Sequence, residues 1–170
     1  MRRALLPLVT AGLLLAGCTP GHVDGPFPTV SSRPGMKGTS WKNFAFAAPA
    51  EWTEEQGTES GDTYWKQAGG DIAMSGSPTG ITECPKPGGS TGYGTAGTRL
   101  KESGQTVASV RSFHVPGAGG ALRYHLTGGR LGDDVRLQVW TRDCREQAVL
   151  DIYATGEADR IADTLIVENG

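Results

Sequence analysis

Three groups of residues in this chain have types and spacings that could do chemistry. Leu15-Ala16-Gly17-Cys18 sets a branched apolar residue and two small ones before a thiol. Small side chains let a backbone lie in a peptidase cleft, and a thiol at the cut gives a lipid its point of attachment. Cys84 and Cys144 are the only other thiols, and they could oxidise to a disulfide. The third group is Arg111, Arg123, His125, Arg136 and Trp140. These are side chains that hold anions by bidentate hydrogen bonds and sugars by stacking. What each group can do depends on the elements that carry it.

The leader reads most plainly. Met1-Arg2-Arg3 precedes a charge-free, Leu-rich stretch from Ala4 to Gly17. It is too short to span a bilayer and has the form of a secretory signal. Its ending resembles the lipobox of bacterial lipoproteins. The expectation is therefore a signal peptide over 1–17, acylation at Cys18 and residence on the outer face of the cell membrane, with the membrane as partner through the anchor. An ordinary signal cleaved nearby, or a buried helix, are the competing accounts, and burial explains only the leucines. Pro20, Pro26, Pro28 and Pro34 among Gly and Ser make 18–38 a flexible tether. His22 and Phe27 lie within it. Residues 39–170 then form one globular domain.

Charge excludes one class of partner. The chain has 16 basic and 18 acidic residues, and loss of Arg2 and Arg3 makes the remainder more acidic. No basic excess is present to displace counterions from nucleic acid. In an exported domain Cys84 and Cys144 are expected to pair. Closing a loop of about 60 residues restricts the unfolded chain by roughly 4 kcal/mol in the entropic account. No CxxC or His at ligand spacing points to a metal, and no cofactor is expected.

Alternating apolar residues and Gly-rich punctuation predict an antiparallel sheet. Phe44 and Phe46 mark a first strand ending at Pro49. Gly69-Gly70 turns a hairpin that sets Trp65 opposite Met74. Residues 77–97 read as a long loop. Strands near 107–115, 121–127, 135–142 and 145–154 form a meander. Pairing Val110 with Leu126, Leu126 with Val135, Leu137 with Leu150 and Val135 with Ile152 keeps these apolar side chains on one face. Ala158, Ile161, Ala162 and Leu165 then supply an amphipathic helix to cover it, with Glu157 and Asp159 in its first turn. The predicted class is α+β, a single antiparallel sheet with a C-terminal helix packed on it; a β-sandwich or barrel is the alternative.

In this register Arg111, Arg123, His125, Arg136 and Trp140 share the outer face with Gln138, and Asp151 lies opposite Arg136. The face is a candidate site for an anion or glycan. The plainer account is a solvated sheet face with an ordinary Arg136–Asp151 cross-strand pair. His114 and His125 point to opposite faces, which argues against a shared metal. Glu54-Glu55 and Asp133-Asp134 read as turn residues. GxSxG, HExxH and P-loop motifs are absent, and "GYGTAG" at 92–97 follows a loop, where a phosphate-binding loop would follow a strand.

Two stretches carry a resemblance. "FAFAAPAEW", residues 44–52, resembles the strand-Pro-x-x-Trp opening of PsbP-like domains, and "AVLDIYATGEADRIADTLIV", residues 148–167, resembles their last strand and helix. The signal, tether and single domain together are similar to small actinobacterial lipoproteins of the LpqN type. An excess of Arg over Lys and 26 glycines point the same way, to a GC-rich genome. The resemblance implies a central antiparallel sheet with helices on it and an accessory or binding role, and it carries over no catalytic residue. The expected function is a non-catalytic binding or accessory module of the cell envelope, its partner an envelope protein or small ligand. The alternatives are a carrier or hydrolase of a small anionic or glycan ligand, and a structural surface protein.

Overall fold

The structure, a computed structural model, describes residues 33–41, 43–57, 62–85, 104–128 and 132–168. Its strands are β1 (Met36–Trp41), β2 (Phe44–Pro49), β3 (Thr53–Gln56), β4 (Thr63–Lys66), β5 (Ile72–Gly80), β6 (Gln105–Ser112), β7 (Gly120–Gly128), β8 (Asp134–Trp140), β9 (Glu146–Ile152) and β10 (Ile166–Val167). A 3-10 turn, Thr155–Glu157, leads into a short helix, α1 (Ala158–Ala162).

These strands form two antiparallel sheets. One has the order β1-β2-β10 and the other β3-β4-β5-β9-β8-β7-β6. The expected single sheet under a C-terminal helix is therefore overturned: the larger sheet is covered chiefly by the smaller one. Phe44 and Phe46 of β2 and Trp41 of β1 meet Trp65, Met74, Leu137, Leu150 and Ile152 of the larger sheet in one buried cluster. The rings of Trp41, Phe46 and Trp65 stand 5.3 to 5.4 Å apart, tilted or edge to face, as aromatic quadrupoles prefer. The sequence concealed β1 because its apolar signal sits only at its ends. Met36 and Trp41 are buried while Lys37, Gly38 and Ser40 are exposed. The strand also begins at Met36, inside the stretch read as tether.

The short helix docks beside β2 in the same core. Ala158, Ile161 and Ala162 are buried, and Leu165 is buried just beyond the helix end. Because β10 is only two residues long, it satisfies Phe44 and Ala45 of β2 and stops. The next β2 donor on that side, the Ala47 N–H, donates instead to Thr164 Oγ1 at 2.8 Å, and that hydroxyl donates to the Ile161 carbonyl at 2.8 Å.

Local readings differ in instructive ways. Trp65 does lie opposite Met74, but the connection is wider than two residues, running from Gln67 to Asp71 with Gly69 and Gly70 both at positive φ. Residues 77–80 belong to β5, not to a loop. Pro78 is accommodated because β5 there extends past its described pairing with β4, leaving β9 as its neighbour among the described residues. Glu54 and Glu55 are on edge strand β3, where Glu55 pairs with Lys66 at 2.5 Å. Cys84 and Cys144 form a disulfide, with their Cα atoms 5.0 Å apart.

Candidate functional site

The register of β7 against β8 decides which candidate residues meet. Leu137 pairs with Leu150 and Val135 with Ile152, as expected, but Leu126 lies opposite Asp134, and His125 opposite Val135. Shifting a strand by one residue turns every side chain to the other face. The expected common face of Arg111, Arg123, His125, Arg136 and Trp140 is thereby split. Arg111, Arg123 and His125 stand on the face of Leu137 and Val135, which bears the core, and Arg136 and Trp140 stand on the opposite one. Between β6 and β7 the true offset is two residues, with Val110 opposite Tyr124 and Arg111 opposite Arg123. An even slip leaves that part of the grouping intact.

On the second face Trp140 is buried with Leu122, Tyr124 and Leu126. Arg136 also loses its place as a surface anion hook. Its guanidinium grips Asp151 bidentately, Nε to Oδ1 at 2.5 Å and Nη2 to Oδ2 at 2.9 Å, and its side chain is 9% exposed. A row of polar contacts flanks this pair. Tyr124 donates to Gln138 at 2.9 Å, Gln138 to Gln147 at 2.6 Å, and Gln147 to Thr79 at 3.0 Å. Asp134, read from sequence as a turn residue, is buried at the start of β8 and accepts from Gln105. Burial pushes its carboxyl above the ordinary aspartate range, and burial likewise raises the Tyr153 phenol beside Ser75. These groups hold one another and the sheet.

The first face is different at its β6–β7 end. Among the described residues, three strands and one turn of helix cover only part of the seven-stranded sheet, and the core face is open at that end. The opening is a groove of about 390 Å³ lined by Ser109, Arg111, Arg123, His125, Asp133, Val135 and Thr155. A bulge at Ala108, between Val107 and Ser109, sets the alternation that turns Ser109 and Arg111 into it. Arg123, with a side chain only 16% exposed, bonds the carboxylate of Asp159, which is 78% exposed. The Arg123 hydrogen bond and charge, with Arg111 farther off, hold the Asp159 carboxyl below the ordinary range. Arg111 itself is exposed and has no ion pair among the described residues. Sequence reasoning named three residues of this groove and missed four. By sequence alone Asp133 reads as a turn residue, and Asp159, on the groove's lip, as a helix-dipole residue. Only the approach of α1 to β7 reveals the second assignment as incomplete.

His114 and His125 are both exposed, and among the described residues no group of three His, Cys, Asp or Glu side chains could hold a metal ion. Cys18, His22 and "GYGTAG" lie outside the described residues. No helix among the described residues is long and apolar enough to cross a membrane.

Comparison with known proteins places the fold. The solution structure of cyanobacterial PsbP (CyanoP) from Synechocystis sp. PCC 6803 superposes with a TM-score of 0.54, covering 86% of this chain and 99% of that one, at 12% identity. The fold is PsbP-like. No family model and no curated protein sequence matches the chain. The likeness is one of architecture, and it agrees with the two stretches that open β2 and close the domain.

Proposed function

We propose that this chain is a lipid-anchored module on the outer face of the cell membrane, non-catalytic, whose groove binds a small anionic ligand in an accessory role. The anchor rests on the leader alone: a basic start, a charge-free stretch and Leu15-Ala16-Gly17-Cys18. The Cys84–Cys144 disulfide is in keeping with an oxidising compartment. The binding role is carried by one observation, the open groove in which Arg111 and Arg123 face each other across two strands. Guanidinium groups so placed bind anions by charge-assisted hydrogen bonds.

A second reading has its own observation. Ser109 lies directly across from His125, with Asp133 in the same groove, the residue types of a hydrolytic triad. Among the described residues no hydrogen bond joins Ser109 to His125, so binding is the preferred reading. An activity-based fluorophosphonate probe decides this point. Labelling of the parent and not of Ser109→Ala would overturn the non-catalytic assignment.

Native mass spectrometry of protein extracted gently from its own membrane tests the rest. Acyl mass on a chain starting at Cys18, and a retained small anionic species, are expected. An unacylated chain would refute the anchor, and a ligand-free chain that binds no anion would refute the binding role.

A further inference from the structure

We infer that the groove is a site for a phosphate monoester, and that Asp159, bonded to Arg123 at the groove's lip, is a built-in competitor which the ligand displaces. This deepens the anion-binding reading above and rests on it.

Arg111 and Arg123 are direct cross-strand partners on one face, and like charges in that relation destabilise a sheet. One carboxylate answers part of that charge: Asp159 bonds Arg123, while Arg111 has no ion pair among the described residues. That carboxylate is the weaker party. It is mostly exposed, on the first turn of a five-residue helix, where water and salt compete for it. A phosphate dianion brings twice the charge and three acceptor oxygens. It could be held by both arginines and His125, with the hydroxyls of Ser109 and Thr155 at the rim.

The rest of the lining narrows the ligand. Asp133 places a negative charge in the same groove. It would repel a second phosphate and accept from a hydroxyl. Val135 provides an apolar floor between strands. A volume of about 390 Å³ lies at the small end of the usual range for ligand pockets. Together these fit a single phosphate on a compact hydroxylated carrier. The same terminal phosphate could belong to a free metabolite or to a lipid headgroup at the membrane surface.

The test is calorimetric titration of the full-length protein in neutral detergent, with inorganic phosphate, glycerol 3-phosphate and glycerol as probes. Parallel titrations use water-soluble short-chain phosphatidic acid and phosphatidylcholine. The parent should bind phosphate and the monoester, but not glycerol. Asp159→Asn should bind at least threefold tighter because the competitor is gone. Arg111→Ala and Arg123→Ala should each bind at least tenfold weaker, and Arg145→Ala, whose charge lies on the remote β8–β9 turn, should bind as the parent does. Preference for glycerol 3-phosphate identifies a free ligand, and binding of the short-chain phosphatidic acid alone identifies a headgroup; either supports the site.

Unchanged or weaker binding by Asp159→Asn would overturn the competitor. Binding that survives both arginine changes would overturn the site. If neither parent nor Asp159→Asn binds a phosphate probe, the phosphate assignment fails. The broader reading would then still stand if native mass spectrometry finds a different anion that Arg111→Ala releases.

Discussion

Replacing Gly76 with Ala probes the contact on which the two-sheet arrangement depends. A Cβ at Gly76 would lie 2.0 Å from Cη2 and 2.9 Å from Cζ2 of Trp41, and 2.8 Å from Cδ2 of Leu150. Carbon atoms rest at about 3.5–4.0 Å, so the indole must retreat by about 1.5 Å or the sheets must part. Retreat is hindered because Phe46 and Trp65 hold the ring, their centroids 5.4 and 5.3 Å away. Overpacking a filled core costs about 1–3 kcal/mol, and the upper half of that range is expected here. Trp41→Phe removes the overlapping atoms. Alone it costs about 1–3 kcal/mol in lost packing, with no hydrogen bond added to that cost, since the buried Trp41 Nε1 has no partner among the described residues. In the double variant the added methyl group occupies space the indole vacated, so it should be more stable than the sum of the single changes predicts, by about 1–2 kcal/mol, within the usual range for contacting residues. Urea unfolding followed by far-UV circular dichroism reads all four proteins. If Gly76→Ala matches the parent within about 0.5 kcal/mol, or the two changes add to within that margin, Trp41 does not sit over Gly76 and the inter-sheet packing described above is wrong.

Other perturbations test separate joints of the fold. Thr164→Val leaves the Ala47 N–H buried without its acceptor and should cost about 1–3 kcal/mol, whereas Thr164→Ser should restore most of it; equal losses would deny the hydroxyl its role. Gly117 has φ 79 and a Cβ there would approach the Val167 carbonyl oxygen to 1.8 Å, so Gly117→Ala should lower the melting temperature more than the exposed Gly156→Ala does. Asp134 has its folded pKa raised by burial, so its contribution to stability is greatest below the unfolded value and is lost as pH rises through the folded one. Asp134→Asn should accordingly equal or exceed the parent at pH 7, with the difference vanishing below about pH 4; a variant clearly weaker at pH 7 would show that the bond from Gln105 outweighs desolvation. Reducing Cys84–Cys144 should cost about 2–5 kcal/mol, and an unfolding midpoint unmoved by reductant would contradict the disulfide.

What could be read from residues alone follows a physical boundary. Phe44 and Phe46 announced β2, the Trp65–Met74 pairing followed from the hairpin, and the spacing of Ala158, Ile161 and Ala162 disclosed the helix, because each signal is local. The β8–β9 register was also legible, since Leu137 with Leu150 and Val135 with Ile152 satisfy one buried face. The β7–β8 register was not. It was inferred on the premise that all apolar side chains seek a single core, yet Leu122, Tyr124 and Leu126 join Trp140 in a second cluster on the other face. Every residue of β8 is buried, so its alternation carries no sign of which side is which.

The candidate site divides in the same way. The sequence by itself determined that Arg111, Arg123 and His125 would lie together, because an offset of two residues between β6 and β7 preserves facing. It also determined the two cysteines that pair. Only the tertiary structure decided that Arg136 is committed to Asp151, that Trp140 is interior, and that Asp133, Thr155 and Asp159 complete the groove. Those outcomes depend on where a three-stranded sheet and one turn of helix stop short of a seven-stranded one. The extent of that cover is set by contacts between residues more than a hundred positions apart, such as Ala47 with Thr164, and no local pattern encodes it.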